Sequence, residues 1–394
     1  MENTAQSRKD GSMTKGTKVS VIIPVHNTER YVTKCLDSLL GQTLAEIQVI
    51  CVNDGSTDRS GEILKEYAGK DNRVCVMEQT NQGQGKARNA AMEIAEGEYC
   101  CFVDSDDWLD TKALEHLYAK ASEERLDVLY YAGVTEYDTE ELAQNHSNYF
   151  DRAYQRDRTA GDACSGREMM KRQIEAKQYW RSSCMCLIRS RFLKEEGIRF
   201  REGIQYEDNL FSYQLCLWAA RVSSVADQYY HRVLRENSII TSKPDSKSLY
   251  GYITSITEAI ALLEEIAEGY EDKEAFFAVI NQTFQRAYTV WEGLDEKERE
   301  RIDQHFRKES YSIREGDLYH SLFLSRFREE EKRRQLIERE KELRQDLTEA
   351  RKVQGELRKD MQEIYDSSSY RLGHALLTPV RKINKILKGK KGTE

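Results

Sequence analysis

The sequence predicts an α/β protein with a mainly parallel sheet, followed by an α-helical C-terminal region that contains one long helix. Short β-branched runs alternate with helical patterns from Lys18 to Ala132, and this alternation is typical of βαβ units. From about residue 246 onward, apolar residues recur at helical spacing alone. The length of 394 residues suits two domains, and a hydrophobic content of 39% supports one core beside a polar, helical remainder.

Four buried strands are expected first, each ending in polar or turn residues. The strands are Lys18–Ile23, Glu46–Val52, Arg73–Glu78 and Tyr99–Val103, with helices over Tyr31–Leu40, up to about Gly69 and over Lys86–Glu96. Their ends carry His26-Asn27, Asn53-Asp54-Gly55-Ser56, Asn81-Gln82-Gly83 and Asp104-Ser105-Asp106. Because ligands of open α/β sheets collect outside the carboxyl ends of the strands, these four polar ends are predicted to form one binding edge.

Three carboxylates follow the fourth strand within four residues: Asp104, Asp106 and Asp107. Hard cations prefer oxygen ligands, and Mg²⁺ usually takes one or two carboxylates together with substrate phosphates. The alternative is an acidic turn that caps the next helix, because aspartate is a favoured N-cap residue. The other strand ends favour a cation site for Asp104 and Asp106, whereas Asp107 is expected to cap the following helix.

Beyond the fourth strand, the alternation continues once and then breaks. Residues 134–180 are polar and are expected to form an insertion over one face of the sheet. The other expected elements are a helix over Thr111–Arg125, strands over Leu126–Ala132, Ser182–Arg189 and Arg221–Val233, a helix from Glu207-Asp208 to Trp218, a loop over 234–241 and helix over 246–308.

The C-terminal part carries two helical patterns. In the first, apolar residues recur every seven positions, at Leu336, Leu343, Ala350, Leu357 and Ile364. This heptad spacing predicts a coiled coil and a homo-oligomer through residues 336–364, with a single solvated helix as the alternative. Residues 375–391 place apolar side chains on one helical face among basic ones. This pattern predicts contact with an anionic membrane surface, with a basic solubilising tail or a helix packed on the protein as alternatives.

Composition narrows the class of protein and its compartment. The net charge of −8 gives no reason to expect nucleic acid as a partner. The nine cysteines include no Cys-x-x-Cys pair and mostly lie in apolar runs, which indicates reduced thiols and the cytoplasm. Residues 1–16 are polar and expected to be disordered, no signal peptide is visible, and no apolar run has transmembrane length. These features predict a cytoplasmic protein, peripheral at the inner face of the membrane.

Considered as one pocket, the strand ends describe a nucleotide site. Asp54 is placed to accept a hydrogen bond from a base, Arg88 suits a phosphate or a neighbouring carboxylate, and Asp104 and Asp106 suit a ribose and a metal. No Walker-type or dinucleotide-binding glycine pattern is present. Glu207-Asp208 either caps a helix or supplies a general base, and a lone histidine such as His231 is more often structural than a ligand.

Five motifs in order resemble the GT-A-fold (Rossmann-like) glycosyltransferases of family 2. They are Val19-Ser-Val-Ile-Ile-Pro-Val-His-Asn27, Val52-Asn-Asp-Gly-Ser-Thr-Asp58, Asn81-Gln-Gly-x-x-x-Ala-Arg-Asn89, Phe102-Val-Asp-Ser-Asp-Asp107 and Glu207-Asp208. The resemblance covers about residues 17–240. A looser resemblance connects Ser367-Ser-Ser-Tyr-Arg-Leu-Gly373 with the tails of some bacterial polysaccharide glycosyltransferases.

The resemblance implies transfer of a sugar from a nucleotide diphosphate, usually UDP, with inversion at the sugar. The acceptor would be a hydroxyl of a growing surface glycan or of a lipid-linked acceptor. It also implies a role for individual residues. The uridine would be held by Pro24, Val25, Asn27 and Asp54. The rest of the substrate site would be formed by Glu29, Asn81, Arg88, Asp104, Glu207 and His231. Mn²⁺ or Mg²⁺ would be bound by Asp106 with Asp104, and the catalytic base would be Asp208.

The expected domains follow from these patterns. They are a disordered N-terminus (1–16), a GT-A domain (17–240), a helical domain (241–330), a long helix or coiled coil (331–366) and a basic amphipathic tail (367–394).

Two other functions compete with an active glycosyltransferase. One is a sugar-nucleotide-binding scaffold without catalysis, oligomerised by the coiled coil, and the other is a nucleotidyltransferase. The presence of Asp104, Asp106 and Asp208 favours catalysis over the scaffold, and the lack of a glycine-rich loop after the first strand disfavours the nucleotidyltransferase.

Overall fold

The computed structural model describes residues 16–157, 160–236, 238–265, 273–308, 325–367 and 371–372. Within them lies a nine-stranded sheet with helices packed on it, which confirms the predicted mostly parallel α/β class. The N-terminal segment expected to be disordered lies outside the described residues except for Gly16, and so does the basic segment 375–391.

The first four strands are parallel, as expected from the βαβ pattern. They are β1 (Val19–Val25), β2 (Ile47–Asp54), β3 (Val74–Gln79) and β4 (Tyr99–Phe102), in the spatial order β3-β2-β1-β4. The helices between them are α1 (Val32–Leu40), α2 (Ser60–Lys70) and α3 (Gln84–Glu93). Every residue of β1 is buried, because helices cover both faces of a parallel sheet. The carboxyl ends of all four strands therefore meet at one edge.

The later strands make the sheet mixed. They continue the order as β8-β6-β9-β5, with β7 paired to β9, and β8 runs antiparallel to both β4 and β6. The elements are β5 (Trp108–Leu109), α4 (Ala113–Glu123), β6 (Val128–Tyr137), α5 (Glu140–Phe150), β7 (Gly161–Cys164), α6 (Gly166–Glu175), β8 (Cys186–Arg189), α7 (Ser190–Glu195), α8 (Asp208–Trp218) and β9 (Val222–Leu234).

Two stretches differ from the sequence predictions. The strand expected from Ser182 begins only at Cys186, because Ser183–Met185 forms one turn of 3₁₀ helix, in which the Ser182 hydroxyl accepts from the Cys184 backbone N–H. The polar stretch after Gly133 is not a featureless insertion. It extends β6 and contributes α5, β7 and α6, and β7 joins the main sheet.

The described residues between 246 and 308 form three helices, in agreement with the predicted helical pattern. They are α9 (Ser246–Glu265), α10 (Lys273–Gly293) and α11 (Glu296–Lys308). Apolar side chains of α9 and α10, among them Leu263 and Phe276, are buried against Met170 of α6 and Leu210 of α8. Contacts divide the chain into one compact unit up to residue 310 and a second from residue 311, so these three helices belong with the sheet.

The second unit contains one long helix, α12 (Ser325–Asp366). Its surface carries i,i+4 ion pairs such as Glu340–Arg344 at 2.7 Å. Leu336 and Leu343 are 70% and 54% exposed, so the predicted apolar seam lies open along α12. The coiled coil stays a prediction. No helix within the described ranges is long and apolar enough to cross a membrane.

Candidate active site

The loop after β1 and the loop after β2 are held together by side-chain hydrogen bonds. Asn27 has a positive φ of 52°, and its Oδ1 accepts from the Thr57 backbone N–H at 2.8 Å. His26 contacts the Asp54 carbonyl oxygen through Nδ1 at 2.8 Å. Pro24 and Val25 are buried in β1 just before this turn, and Val25 pairs with Asn53 in register. The structure thus brings together the residues predicted to hold the base.

Glu29 and Asn81 lie at the margins of this loop cluster. The Glu29 carboxylate accepts from the Arg59 backbone N–H at 2.9 Å, which fixes the loop against the start of α2. Asn81 Nδ2 lies 3.3 Å from His26 Nε2. Gly55, with φ of 66°, would place a Cβ 2.7 Å from the Asn81 backbone nitrogen, so only glycine allows the two loops to approach.

Asp54 is buried at the end of β2 and organises the glycine-rich turn before α3. Its Oδ1 accepts from Gln79 Nε2 and from the Gln82 backbone N–H, both at 2.7 Å, and its Oδ2 accepts from the Gly83 backbone N–H at 2.9 Å. A carboxylate offers about four acceptor positions, of which three are occupied here. The capacity to accept from a base is thus reduced to about one position.

Arg88 of α3 is the centre of the site and is only 1% exposed. Its guanidinium donates to Asp104 Oδ1 at 2.7 Å, to Glu207 Oε1 at 2.5 Å and, more weakly, to Asp208 Oδ1 at 3.5 Å. Burial alone would lower the pKa of Arg88, but the charges of Asp208, Asp104 and Glu207 together raise it well above its ordinary value. One buried cation therefore joins the end of β4 to the start of α8.

A glycine permits this close approach of α3 and α8. A Cβ on Gly85 would lie 2.9 Å from the Arg201 carbonyl oxygen and 3.3 Å from Cγ of Glu207. Glu207 itself is buried, and burial, opposed by Arg88 and reinforced by Asp208, raises its pKa to about 7. Burial is the main cause of this rise, and the neighbouring carboxylates Asp208 and Asp104 add to it because like charges disfavour ionisation.

Asp208 is the first residue of α8 and retains access to solvent, with 24% of its side chain exposed. Its Oδ1 accepts a hydrogen bond from Ser183 Oγ at 2.8 Å. Burial raises the pKa of Asp208, Arg88 lowers it, Asp104 raises it and the Ser183 hydrogen bond lowers it, and the balance lies above the ordinary value. A carboxylate with a raised pKa that is open to the pocket is suited to accept a proton.

Asp104 and Asp106 lie at the end of β4, as predicted for a cation site. Asp106 Oδ2 accepts from Arg235 Nε at 2.6 Å, and burial followed by repulsion from Asp104 raises the pKa of Asp106. No group of three or more metal-ligating side chains occurs in the described part of the chain. Two repelling carboxylates fit Mn²⁺ or Mg²⁺, because such ions complete their coordination with phosphate and water oxygens.

Asp107 does not cap the following helix, so that prediction was wrong. The Tyr230 hydroxyl donates to its Oδ2 at 2.6 Å and the Val233 backbone N–H donates to its Oδ1 at 2.7 Å. The helix α4 starts at Ala113, six residues later in the chain, and has Lys112 at its N-cap position. The short strand β5 turns Asp107 towards β9, where it fixes the two strands to each other.

His231 lies on β9 and is paired with side chains other than Asp104 and Asp106. Its ring nitrogens are 3.1 Å from Glu136 Oε1 and 3.2 Å from Asp110 Oδ1. The imidazole stacks on Trp108, with ring centroids 3.5 Å apart. Among the described contacts, His231 has none with Asp104 or Asp106, so its predicted role in the substrate site stays a prediction.

Ser183 and Arg235 were missed by sequence reasoning, although each contacts a predicted site residue. Ser183 belongs to a 3₁₀ turn within a stretch whose pattern predicts a strand, and Arg235 follows β9 in a loop without a motif. The cavity beside Asp208 also depends on α9 and α10, through Tyr252 and Arg286. The sequence offered one signal for this cavity. Aromatic and basic residues, Tyr179-Trp180-Arg181, stand directly before the strand expected from Ser182, where no helix or strand pattern requires them.

The parallel strands carry polar loops at their carboxyl ends, and the buried Arg88 cluster lies at the same edge of the sheet. These are the features of an α/β protein whose candidate binding site lies at that edge. Residues 20–195 match the model of the family described as glycosyl transferase family 2. The chain is 32% identical over 263 residues to the uncharacterized glycosyltransferase EpsJ of Bacillus subtilis, and the match covers 66% of this chain and 69% of EpsJ. It therefore belongs to glycosyltransferase family 2.

Two further similarities support this assignment. The glycosyltransferase GlyA of Streptococcus pneumoniae is 31% identical over 263 residues, which are 66% of this chain but only 36% of GlyA, so the chain spans about a third of that relative. The crystal structure of S. aureus TarS residues 1–349 in complex with UDP has a TM-score of 0.52 and 26% identity, and the match covers 69% of this chain and 72% of that chain.

Proposed function

We propose that the protein transfers a sugar from a nucleotide-diphosphate donor, in the first place a UDP-sugar, to a hydroxyl group of a surface glycan or a lipid-linked acceptor. The observation that carries this proposal is the buried cluster in which Arg88 links Asp104 to Glu207 and Asp208. In this cluster Asp208, the proposed base, shares one guanidinium with Asp104 at the end of β4. The similarity to TarS, whose crystal structure contains UDP, supports UDP as the nucleotide.

The proposed reaction inverts the configuration of the transferred sugar. Asp208 accepts the proton of the acceptor hydroxyl while its oxygen forms a bond to the anomeric carbon. The bond from that carbon to the diphosphate oxygen breaks, and the electron pair leaves with the nucleoside diphosphate. Arg88 and Ser183 orient Asp208, since both donate to its Oδ1. The solvent-accessible face of Asp208 is then free to meet the acceptor.

Asp106, together with Asp104, is the proposed ligand set for Mn²⁺ or Mg²⁺. Such an ion, when bound, supplies positive charge that stabilises the departing diphosphate. In this chain, Arg235 neutralises Asp106 in the meantime through its Nε donor at 2.6 Å. The donor phosphates would compete with Asp106 for this guanidinium, because arginine binds both phosphate and carboxylate well.

Where the enzyme acts is proposed from the sequence pattern. Residues 375–391 would bind an anionic membrane surface at the cytoplasmic face, and the apolar seam of α12 would pair with a second copy of the chain. Both features would keep the active site near a surface-bound acceptor. Several relatives are named for transfer to polymers, such as the poly(ribitol-phosphate) β-glucosyltransferase of Bacillus spizizenii, and this agrees with a cell-envelope role.

The test is donor hydrolysis, which needs no acceptor because water takes its place. The wild-type protein is incubated with UDP-, GDP- and TDP-sugars and Mn²⁺, and release of the nucleoside diphosphate is measured. Asp208→Asn should bind UDP like the wild type but lose hydrolysis by about 10²- to 10⁴-fold, the usual contribution of a general base. Asp162→Asn, at an exposed position of β7, serves as the control. Retained hydrolysis by Asp208→Asn would exclude Asp208 as the base, and no hydrolysis of any donor by the wild type would contradict the proposed function.

A further inference from the structure

A cavity of about 590 Å³ lies beside Asp208 and extends away from the nucleotide loops. Asp104 and Asp208 line it, whereas Asn27, Asp54 and Asn81 do not. Its other walls come from the segment before the 3₁₀ turn and from α9 and α10. This position, open to the base but away from the loops predicted to hold the nucleotide, is where an acceptor would lie.

The far wall of the cavity is basic. Arg181 Nη1 donates to Thr283 Oγ1 of α10 at 2.7 Å, and Arg286, one turn later on α10, donates to the Tyr252 hydroxyl. Both of these partners are neutral hydroxyl groups. Burial, followed by the like charge of Arg286, lowers the pKa of Arg181. In the described part of the chain, Arg181 forms no ion pair with a carboxylate. Arg181 and Arg286 both line the cavity, and their two positive charges repel each other.

Arg181 lies close in sequence to Ser183, the residue that holds the proposed base. Arg181 precedes Ser183 by two residues, and the Ser183 hydroxyl donates to Asp208. Ser182 between them has extended backbone angles, φ −146° and ψ 123°. Because an extended residue spans at most about 3.6 Å, the Cα atoms of Arg181 and Ser183 are at most about 7 Å apart. Arg181 therefore belongs to the same short segment as Ser183, and Arg181, Ser182 and Asp208 all line the cavity.

Aromatic side chains form the walls between the two ends. Tyr206 stacks on Tyr252 with ring centroids 4.4 Å apart, and Tyr179 and Trp180 line the same space. Lys177 lies at the exposed margin and adds a further positive charge. Aromatic walls with a few convergent polar groups are typical of small-molecule sites.

We propose that this cavity is an acceptor site for a phosphate-bearing glycan or polyol, with Arg181 and Arg286 binding the phosphate while Asp208 faces the hydroxyl to be glycosylated. Guanidinium groups suit this role because their planar donors match the geometry of phosphate oxygens. The proposal rests on the proposed glycosyl transfer, and it adds the chemical class of the acceptor. It predicts that an acceptor without a negative charge binds poorly.

The experiment measures binding of acceptor probes without any donor, by calorimetry. One pair of probes is ribitol 5-phosphate with ribitol, and a second is a short-chain alkyl diphosphate-linked N-acetylglucosamine with the corresponding neutral alkyl glycoside. We expect the wild type to bind at least one phosphorylated probe at least tenfold more tightly than its neutral match. The two pairs separate a polyol-phosphate acceptor from a lipid-linked one. Equal binding of both members of both pairs, or no binding of either phosphorylated probe at millimolar concentration, would overturn the proposal.

The variants Arg181→Gln and Arg286→Gln should each reduce binding of the preferred phosphorylated probe at least tenfold, and Arg181→Lys should restore part of it. The control is Arg172→Gln, because Arg172 lies on α6, pairs with Glu168 at 3.0 Å and does not line the cavity. Folding is checked through UDP binding and donor hydrolysis, which should be unchanged in all four variants. An unchanged phosphate preference in both glutamine variants would refute the site, and an equal loss of UDP binding would assign the arginines to the donor.

This design separates the two hypotheses. If the wild type neither binds UDP nor hydrolyses a nucleotide sugar, the proposed function fails, whatever the probes show. If it hydrolyses the donor but shows no preference for phosphorylated probes, only the acceptor class is wrong.

Discussion

The hydrogen bond from Ser183 to Asp208 makes a sharp test of the proposed base. Ser183→Ala removes the hydroxyl that donates to Asp208 Oδ1 at 2.8 Å, and Ser183 itself is fully buried. This donor stabilises the charged carboxylate, and so it lowers the pKa of Asp208. Without it, the pKa of Asp208 should rise, and a higher pH should be needed to keep the base ionised.

The size of the shift follows from the strength of one hydrogen bond to a charged group. Such bonds are worth about 1.5–3 kcal/mol, and about 1.4 kcal/mol corresponds to one pKa unit. Since 24% of the Asp208 side chain is exposed, water can replace part of the lost interaction. We therefore expect a loss near the lower end of that range, which is equivalent to about a tenfold change in the ionisation equilibrium of Asp208.

The assay is the pH dependence of donor hydrolysis, measured as kcat/KM. On the acidic side, where the rate rises with ionisation of the base, Ser183→Ala should be about tenfold slower than the wild type, and the two should converge at higher pH. Ser223→Ala is the control, because Ser223 is also fully buried and its hydroxyl donates to the Gly161 carbonyl oxygen and not to Asp208. Superimposable pH profiles for all three proteins would refute the assignment of Asp208 as the base that Ser183 tunes.

Two other predictions concern the metal and the long helix. Chelation by EDTA should abolish donor hydrolysis, and Mn²⁺ should restore it. Asp106→Asn should need at least tenfold more Mn²⁺ for half-maximal activity, whereas the control Asp110→Asn should titrate like the wild type. Identical Mn²⁺ titrations for both variants would contradict the role of Asp106. In α12, the exposed Leu343 lies on the predicted seam, so Leu343→Glu should convert an oligomer at micromolar concentration into a monomer in sedimentation, with Gln345→Glu, off the seam, as the control. A wild-type protein that sediments as a monomer would rule out the coiled coil.

The parallel half of the sheet could be predicted because its signals are local. Each strand from β1 to β4 is an apolar run with a polar end, and the rule that parallel carboxyl ends share an edge brings Asp54 and Asp104 to the same side without further information. The position of Arg88 on the helix after β3 left a phosphate or a neighbouring carboxylate as its expected partner, and in the structure it pairs with Asp104.

The remaining site residues depend on contacts between distant parts of the chain. Ser183 reaches Asp208 only because the segment before β8 turns as a 3₁₀ helix, and the β-branched and apolar pattern around it indicates a strand. Arg235 meets Asp106 across 129 residues of sequence, and no periodicity records such a pair. Asp107 was misassigned for the same reason, because its partner Tyr230 lies on a strand that only the folded sheet brings near.

The Arg88 cluster also has a consequence for how the active site is acquired. Arg88 and Glu207 are 119 residues apart in sequence, and they join α3 to the start of α8. Contacts of such long range form late, because the entropy of closing the intervening chain must first be overcome. During synthesis, the strand ends with Asp54 and Asp104 emerge well before Asp208. The nascent chain would therefore hold the nucleotide-side residues long before it holds a base, and it could gain catalytic competence only when the folding of the first unit is complete.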